Sequence, residues 1–369
     1  MYSPFRHIDS IFWKKRPIHL TFFLTRRCNA HCPFCFYLKS SQPVPSLSDG
    51  VEGRGDKSHE LSLEEINAIS QSLDSLLWLA FSGGEIYLRD DLVEISRIFY
   101  RNNKPAIMLF PTNGLLPDLI KDRTEEILKH CPNSIIAIKL SMDGLYREHD
   151  SLRNTPGSFE KTLATYHLLK GLLNIYPNFE LGVNTVFCSE NQDKMDKIID
   201  FVNTMKGVKT HTISLIRGNL SDRSFKDIDY RNYCHAIERL EKNLKANKSS
   251  IYRFKGAKIK AAQDILQRRL INRTMLDQKR LVPCYAGRLN LVLTERGDVY
   301  PCEVLTDCYG NVKDYDYSLK KVVQSDNAKK IIDSIMKKRC YCTHECYFMT
   351  NILFNPALYP ALAREYLQT

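Results

Sequence analysis

Three of the twelve cysteines stand close together near the N-terminus, in a pattern that could hold a metal. Cys28, Cys32 and Cys35 follow the apolar run HLTFFLT, with three and then two residues between them. Thiolates that converge on a loop after a strand can bind a metal ion or an iron–sulfur cluster. A structural zinc site has four protein ligands and no open coordination position, whereas a four-iron cluster held by three cysteines leaves one iron open to another ligand. Zinc stays the alternative for such a motif taken alone.

A second group of cysteines lies toward the C-terminus. Its members are Cys284, Cys302, Cys308, Cys340, Cys342 and Cys346. Four cysteines in two pairs suit either an iron–sulfur cluster or a zinc ribbon, and His344 is a further candidate ligand for zinc. The three remaining cysteines (131, 188 and 234) are predicted to be ordinary buried residues, and a role as hydrogen-atom donor is the alternative for Cys188, which lies just past the fifth apolar run.

Glycines and polar residues stand where several apolar runs end. The sequence Gly83-Gly84-Glu85 follows LWLAFS and combines close backbone approach, which glycine permits, with an acceptor for an ammonium group. The other candidates are Thr112, Asn113, Ser141, Asp143, Arg153, Asn184 and Arg217. A single polar residue of this kind more often caps a turn, so it is their shared position that indicates a site.

The elements that must position these residues alternate along the chain. Apolar runs predict strands at 19–25, 77–82, 106–112, 134–141, 181–187 and 211–216. Helical patterns lie between them, and one begins with a Ser62-x-x-Glu65 capping box. The alternation predicts an α/β fold: a partial (β/α)6 barrel of parallel strands with a small cysteine-rich C-terminal module. In such a fold the chemistry gathers at the C-terminal ends of the strands.

The chain divides into four predicted parts. Residues 1–16 form an N-terminal lead, 17–218 the barrel, 219–280 a basic helical connector, and 281–369 the cysteine-rich module. The module begins with a hairpin that turns at residues 296–298. A polar stretch at 40–59, rich in Ser, Pro and Gly, is predicted to be a mobile excursion near the mouth of the barrel.

Composition limits the class of protein. The 369 residues are 43% hydrophobic and 26% charged, which is globular and excludes wholesale disorder. No apolar run approaches the roughly 20 residues of a membrane span, and the N-terminus lacks the features of a signal peptide, so we expect a cytoplasmic protein with reduced thiols. The net charge is +11, of which +9 lies in residues 221–280. That segment is either a solvated helix face or a surface for an anionic partner.

The N-terminal motifs together resemble the radical SAM superfamily. There, three cysteines spaced like Cys28, Cys32 and Cys35 bind a [4Fe–4S] cluster, and an aromatic residue, here Phe34, precedes the last one. The open iron is chelated by the amino and carboxylate groups of S-adenosylmethionine (SAM). The resemblance implies that the Gly83–Glu85 element holds the SAM amino group, although Ile86 replaces the family's usual proline.

The same resemblance implies further cofactor contacts. It assigns Ser141 to polar groups of SAM, Asp143 to the substrate or ribose side, and Arg153 to the SAM carboxylate. Asn184 and the 213–218 run, which includes Arg217, resemble ribose- and adenine-contacting positions. Thr112 and Asn113 are expected to face the mouth of the barrel.

The second cysteine group resembles the SPASM and twitch modules of the same superfamily. Cys284 and Cys302 fit the opening pattern C-x9–15-G-x4-C, which implies one auxiliary [4Fe–4S] cluster. The chain departs from the full pattern, because it has C-x-C-x3-C and no cysteine after Cys346. The expected ligands are Cys284, Cys302 and two of the last three cysteines. Cys342 and Cys346 are favoured over Cys340, because x3 spacing ends the family motif, and Cys308 is an alternative.

The implied activity is reductive cleavage of SAM to a 5′-deoxyadenosyl radical that abstracts a hydrogen atom from the substrate. The expected outcome is oxidation or another modification of a peptide or of a small, anionic metabolite, with electrons from an external donor such as flavodoxin or ferredoxin. No catalytic acid, base or hydrogen-atom donor is identified. The alternatives are a non-catalytic iron–sulfur or zinc electron carrier or regulator, and an RNA-modifying radical SAM enzyme. Nucleic acid is not expected as a partner, because no appended RNA-binding module is visible.

Overall fold

A computed structural model of the protein describes residues 6–38, 57, 59–246, 252–254, 256–337 and 340–368. The predicted excursion at 40–59 lies outside the described residues except for positions 57 and 59. Among the helices that are described, none is both long enough and apolar enough to cross a bilayer.

The described strands form one sheet. They are β1 (His19–Thr25), β2 (Trp78–Gly83), β3 (Ile107–Thr112), β4 (Ile135–Ser141), β5 (Phe179–Phe187), β6 (Val208–Leu215), β7 (Asn290–Leu293), β8 (Asp298–Tyr300) and β9 (Gly310–Asn311). Their order is β6-β5-β4-β3-β2-β1-β7-β8-β9. The first six strands pair in parallel and match the six predicted strands to within three residues, which confirms the predicted α/β fold.

The described α-helices are α1 (Asp9–Phe12), α2 (Leu63–Gln71), α3 (Leu92–Asn103), α4 (Pro117–His130), α5 (Tyr146–Arg153), α6 (Ser158–Leu172), α7 (Met195–Thr204), α8 (Tyr230–Ala246), α9 (Ala257–Asp277), α10 (Leu319–Gln324), α11 (Asp326–Lys337), α12 (Glu345–Leu353) and α13 (Tyr359–Gln368). Helices α2 to α7 lie between the first six strands and connect them. The predicted capping box is confirmed at the start of α2: the Ser62 hydroxyl accepts from the Glu65 N–H at 3.3 Å, and the Glu65 carboxylate accepts from the Ser62 N–H at 2.9 Å.

The two faces of the barrel strands differ in burial. Along β3 and β4, fully buried side chains alternate with half-buried ones, because one face meets the helices and the other lines the lumen. Lys139 and Ser141 are among the half-buried lumenal positions of β4. The parallel register therefore brings lumenal polar groups and the ends of the strands into one cavity.

The C-terminal hairpin extends the barrel sheet. β7 pairs in parallel with β1, beginning with Asn290 opposite His19, and it pairs antiparallel with β8. The predicted hairpin turn is confirmed: Gly297 has φ +94°, a left-handed conformation that favours glycine. The sheet thus crosses the predicted boundary at residue 281, and the domain bounds stay predictions.

The basic connector is buried in part, mainly along its long helix α9. α9 packs against α12 and α13, and its buried residues include Ala261, Ile265 and Ile271. Several of its cations have carboxylate partners: Arg269, for example, forms ion pairs with Glu241 and Glu365. α9 is therefore a packed element of the fold rather than a solvated face.

Candidate functional site

The first three cysteines lie on the loop that follows β1, as predicted. All three are half-buried and line one cavity. Burial raises the pKa of the Cys28 thiol to about 12, and the Cys32 and Cys35 thiols add to this rise. The Leu38 N–H donates to the Cys35 sulfur at 3.3 Å. Three thiols on one cavity with a backbone donor form a donor set that suits an iron–sulfur cluster.

The two adjacent glycines fasten this loop to the end of β2. The Gly84 N–H donates to the Thr25 carbonyl and the Glu85 N–H to the Arg27 carbonyl, both at 2.8 Å. A Cβ on Gly84 would lie 2.0 Å from the Arg27 carbonyl oxygen, and one on Gly83 would lie 2.4 Å from that of Thr25. Only glycine permits this approach, so the pair fixes the cysteine loop against β2.

The Glu85 carboxylate joins the end of β2 to the end of β3. It is buried, with an exposed fraction of 1%, and it accepts from the Thr112 hydroxyl at 2.9 Å and from the Asn113 N–H at 2.8 Å. Burial raises the pKa of Glu85 to about 7 against these hydrogen bonds. The Asn113 amide in turn donates to Asn29 on the cysteine loop at 2.7 Å. These contacts make the ends of three strands one connected rim.

Asp143 and Arg153 form a buried ion pair beside the thiols. The Arg153 Nε donates to the Asp143 carboxylate at 2.8 Å, and the Val186 N–H donates to its other oxygen at 2.7 Å. Burial opposes the charge on Arg153, but Asp143 and the nearby Cys32 sulfur outweigh it and raise the pKa of the guanidinium. Arg153 lines the cavity, whereas Asp143 is fully buried behind it. The Asp143 carboxylate is therefore placed to hold Arg153 in position, and the expected contact of Asp143 with the substrate or ribose side stays a prediction.

The remaining predicted cofactor residues also line the cavity. Ser141 pairs in register with Asn184, whose amide oxygen accepts from the Ser214 hydroxyl at 3.2 Å. Phe34 is buried and lies 6.0 Å from the Phe225 ring between centroids. Arg217 lies above the Phe36 ring and forms ion pairs with Glu303 and Glu345, at 3.2 and 3.7 Å. It thus joins the end of β6 to the C-terminal region.

Four cysteines of the second group share a separate pocket of about 60 Å³. They are Cys284, Cys302, Cys340 and Cys342. Burial raises the pKa of the Cys342 thiol to about 12, and the other three sulfur atoms contribute to the rise. The Leu305 N–H donates to the Cys302 sulfur at 3.4 Å, and Arg280 donates to the Cys340 sulfur at 3.1 Å. Four neighbouring thiols with two such donors suit a four-cysteine centre.

Cys346 and Cys308 lie elsewhere. Cys346 stands on the first turn of α12 and lines the main cavity near Arg217, although the sequence favoured it as an auxiliary ligand. The Cys308 sulfur instead lies 3.4 Å from the Val299 carbonyl. Cys340 and Cys342 lie in the non-helical segment before α12, and in extended chain alternate side chains point to the same side. Cys346 lies within α12, whose different periodicity directs it away from the pocket of the other four cysteines.

Within the described part of the chain, no three Cys, His, Asp or Glu side chains converge closely enough to hold a single metal ion. The fit of both cysteine sets therefore rests on shared burial, mutual electrostatics and sulfur-directed donors.

Sequence reasoning missed several charged residues that line the same cavity. Lys139 lies within the apolar run of β4, Glu180 begins the lumenal face of β5, and Arg268 projects from α9. In the sequence, the only sign of these lumenal charges was Lys139, a charged residue inside an otherwise apolar strand. The whole cavity measures about 520 Å³, which is within the range of small-molecule sites.

Comparison with known proteins identifies the fold and the family. The sequence model described as the radical SAM superfamily matches residues 22–202. The AdoMet-dependent heme synthase of Methanosarcina barkeri is 25% identical over 304 residues, which cover 80% of this chain and 79% of that protein. The antilisterial bacteriocin subtilosin biosynthesis protein AlbA of Bacillus subtilis is 26% identical over 343 residues, covering 89% of this chain but 66% of AlbA, just under two thirds of its length.

A solved structure has the same fold. Streptococcus suis SuiB bound to S-adenosylmethionine superposes with a TM-score of 0.59 at 15% identity, over 87% of this chain and 68% of SuiB. SuiB has also been solved bound to its precursor peptide SuiA. The matched span contains the first cysteine loop and the Gly83–Glu85 element. The chain is therefore an enzyme with a radical SAM domain, and it has in addition a cysteine-rich C-terminal region.

Proposed function

We propose that this enzyme cleaves SAM reductively and uses the resulting radical to abstract a hydrogen atom from a peptide or a small metabolite, leading to its oxidation or another modification. The observation that carries the proposal is the convergence of three thiols, a buried Glu85 network and the Arg153 guanidinium on one cavity. An electron carrier needs the thiols but has no use for the other two features.

The bound cluster would supply one electron, and SAM would supply the 5′-deoxyadenosyl group that removes the hydrogen atom. Cys28, Cys32 and Cys35 would hold the cluster. Arg153 would bind the SAM carboxylate, because a guanidinium forks onto a carboxylate, and Asp143 would fix its direction. Ser141 and Asn184 would offer hydrogen bonds from the lumenal wall.

Glu85 would meet the SAM ammonium. A carboxylate held by Thr112 and Asn113 has little freedom to move, so it would act as a preorganised acceptor. An ammonium brought next to it would lower its pKa from the raised value that burial gives, and so would favour the ionised form.

The second cysteine set would hold one auxiliary [4Fe–4S] cluster, with Cys284, Cys302, Cys340 and Cys342 as ligands. Their common pocket supports this set over the one that includes Cys346. Such a cluster would conduct electrons or accept one from the substrate radical, and an external carrier such as a flavodoxin or ferredoxin would supply the reducing electron.

Two substrate classes are compatible with the relatives. AlbA is named for the biosynthesis of a bacteriocin, and SuiB has been solved with a precursor peptide, which represents the peptide class. The heme synthase is named for a small molecule, which represents the other class. The cavity favours a small molecule or a single side chain over a longer folded segment, because its volume is about 520 Å³.

The first experiment tests SAM cleavage. The protein would be reconstituted anaerobically with iron and sulfide, reduced with dithionite and given SAM, and 5′-deoxyadenosine would be measured by mass spectrometry. We expect 5′-deoxyadenosine from the wild type and from Cys234→Ala, whose thiol lies outside both sets, and none from Cys32→Ala. S-adenosylhomocysteine in its place, or no cleavage at all, would contradict the proposal.

The second experiment tests the auxiliary ligands by counting iron. Two four-iron clusters give about eight irons per chain, so we expect about eight for the wild type and Cys346→Ala and about four for Cys342→Ala. The reverse order would restore Cys346 as a ligand. Zinc at the second site in the wild type would replace the auxiliary cluster with a structural zinc centre.

A further inference from the structure

A cationic cluster lies in the lumen below the proposed SAM site. Lys139, on β4, reaches across β5 to β6, where its ammonium donates to the Thr210 hydroxyl and to that of Thr212 at 3.3 Å. Gly182 on β5 makes this reach feasible, since a Cβ there would lie 2.7 Å from the ammonium nitrogen. The Lys139 side chain is therefore built into the lumen by the sheet itself.

Arg268 approaches the same part of β6 from α9. Its Nη2 donates to the His211 carbonyl at 3.3 Å, between the two threonines that contact Lys139. Its Nη1 is buried and has no hydrogen-bond partner among the described residues. A buried guanidinium N–H without an acceptor costs free energy, so the site as described lacks an acceptor at this point.

The carboxylates near this cluster form no ion pair with Lys139 or Arg268 among the described residues. Asp264 forms an ion pair with Lys260 and accepts from the Tyr252 hydroxyl at 2.6 Å. Glu180 is 6% exposed, and one of its oxygens accepts from a backbone N–H, while the other is buried without a partner. Among the described residues, neither Lys139 nor Arg268 has a carboxylate within 4 Å.

The cluster is positively charged when Lys139 is protonated. Lys139 has Lys260 and Arg268 as cationic neighbours and Asp264 and Glu180 as anionic ones, and Lys209 and Arg253 also act on Glu180. A carboxylate bound beside Lys139 would favour the ammonium form of the lysine. A monoanionic carboxylate also loses less hydration in a partly desolvated site than a phosphate dianion does.

The wall that β2 and β3 contribute to the same cavity is largely apolar. Trp78 on β2 and Ile107 and Leu109 on β3 line it. A peptide backbone would leave its polar groups unsatisfied against this wall. A small molecule with an apolar body and one carboxylate fits both walls.

The strand register relates this cluster to the cofactor residues. Lys139, Gly182 and Thr210 stand in one row across β4, β5 and β6, and Ser141, Asn184 and Thr212 form the row two residues nearer the mouth. Two residues of strand correspond to roughly 6.6 Å. An apolar body of a few carbon atoms anchored at Lys139 would therefore extend toward the cysteine loop.

We propose that Lys139 and Arg268 bind the carboxylate of a small amphipathic substrate, whose apolar body lies along Trp78 and β3 below the SAM site. The inference rests on the proposed function only in naming the bound molecule as the substrate. Lys139 and Arg268 are specificity-determining residues in this view, and they take no part in SAM cleavage.

Isothermal titration calorimetry on the anaerobic holoprotein tests the site without turnover. The probes are 3-phenylpropionate, its neutral amide and inorganic phosphate. We expect the acid to bind at least about tenfold more tightly than the amide, and phosphate to bind more weakly than the acid. An acid that binds no better than its amide overturns the site, and phosphate that binds as tightly as the acid overturns its assignment to a carboxylate.

Variants separate binding from packing. Lys139→Met should abolish the preference for the acid and leave the affinity for the amide within about twofold, whereas the exposed control Lys161→Met in α6 should retain the preference. Arg268→Gln keeps a donor for the His211 carbonyl and should lower the preference severalfold, which keeps the test open if Lys139→Met fails to fold. Unchanged preference in both variants overturns the proposal. Wild-type protein that binds the acid but cleaves no SAM refutes the proposed function and leaves the anion site standing.

Discussion

The ion pair between Asp143 and Arg153 makes the sharpest prediction about stability. Both side chains are buried, with 1% and 8% of their surface exposed, and they meet at 2.8 Å. In Asp143→Asn the guanidinium stays buried without its counter-charge, which typically costs about 3–5 kcal/mol. The new amide group would also face either Arg153 or the Val186 N–H, both of which are donors.

The expected shift in melting temperature follows from the size of the chain. An unfolding entropy of about 2.1 cal/mol/K per residue over 369 residues converts this loss into a Tm lower by about 4–6 °C for cooperative unfolding of the whole chain. Calorimetry would measure it. The exposed pair Lys194–Glu148 is the matched control, and Glu148→Gln should cost less than about 1 kcal/mol.

A double-mutant cycle tests the reasoning itself. Arg153→Met alone leaves the Asp143 carboxylate buried without its counter-charge, whereas the double variant Asp143→Asn/Arg153→Met removes both charges. The double variant should therefore lose about 2–3 kcal/mol less unfolding free energy than the sum of the losses in the two single variants. Strict additivity would refute the coupling. The affinity for SAM should fall on the order of tenfold in Asp143→Asn, because Arg153 loses its fixed direction. Unchanged SAM affinity would refute the positioning role of Asp143.

Two further predictions concern the loop at the cluster and the lumen. Gly84→Ala should abolish most of the iron binding at the first cysteine set, because its Cβ would lie 2.0 Å from the Arg27 carbonyl oxygen. The control Gly171→Ala, at a helical position with nothing within 4 Å of an added Cβ, should keep the iron and stabilise the protein by about 0.5–1 kcal/mol. Iron counts and thermal melts check both variants, and full iron content in Gly84→Ala would contradict the predicted clash. Burial lowers the pKa of Lys139 from its ordinary value of 10.5 to about 7 in the folded protein. Between pH 7 and 10.5 the amine is therefore protonated in the unfolded chain but mostly neutral in the folded one. Because the unfolded state binds more protons there, the contribution of Lys139 to the stability of the wild type should rise with pH across that window. The free energy of unfolding of Lys139→Met should therefore exceed that of the wild type most strongly below pH 7, and by less as the pH approaches 10. Urea unfolding at several pH values measures this difference. A difference that stays constant with pH would show that the Lys139 amine does not titrate in that window.

Much of the fold was predictable because its signals are local. Ser62 and Glu65 define a capping box within four residues, and six apolar runs define the six parallel strands. The positions of Cys28, Glu85 and Arg153 around one cavity also follow from the rule that parallel strands end at one edge.

What could not be predicted depends on the direction of single side chains. The sequence spacing favoured Cys346 as an auxiliary ligand, but the start of α12 turns it toward the main cavity. Asp143 was assigned to the substrate or ribose side, and nothing in the sequence indicated that its carboxylate accepts hydrogen bonds from Arg153 and from the backbone of β5. Lys139 becomes interpretable only when the register places it beside Gly182 and Thr210.

The pairing of β1 with β7 has a consequence for synthesis of the chain. His19 meets Asn290, so one edge of the strand that leads into Cys28 waits for a partner roughly 270 residues away. At about 5–20 residues per second, that edge stays open for roughly 15–55 s of translation. During that interval the nascent barrel presents an unpaired edge next to its first cysteine loop, which exposes it to intermolecular strand pairing. Until the hairpin arrives, the strand that leads into the first cysteine loop is paired on one side only.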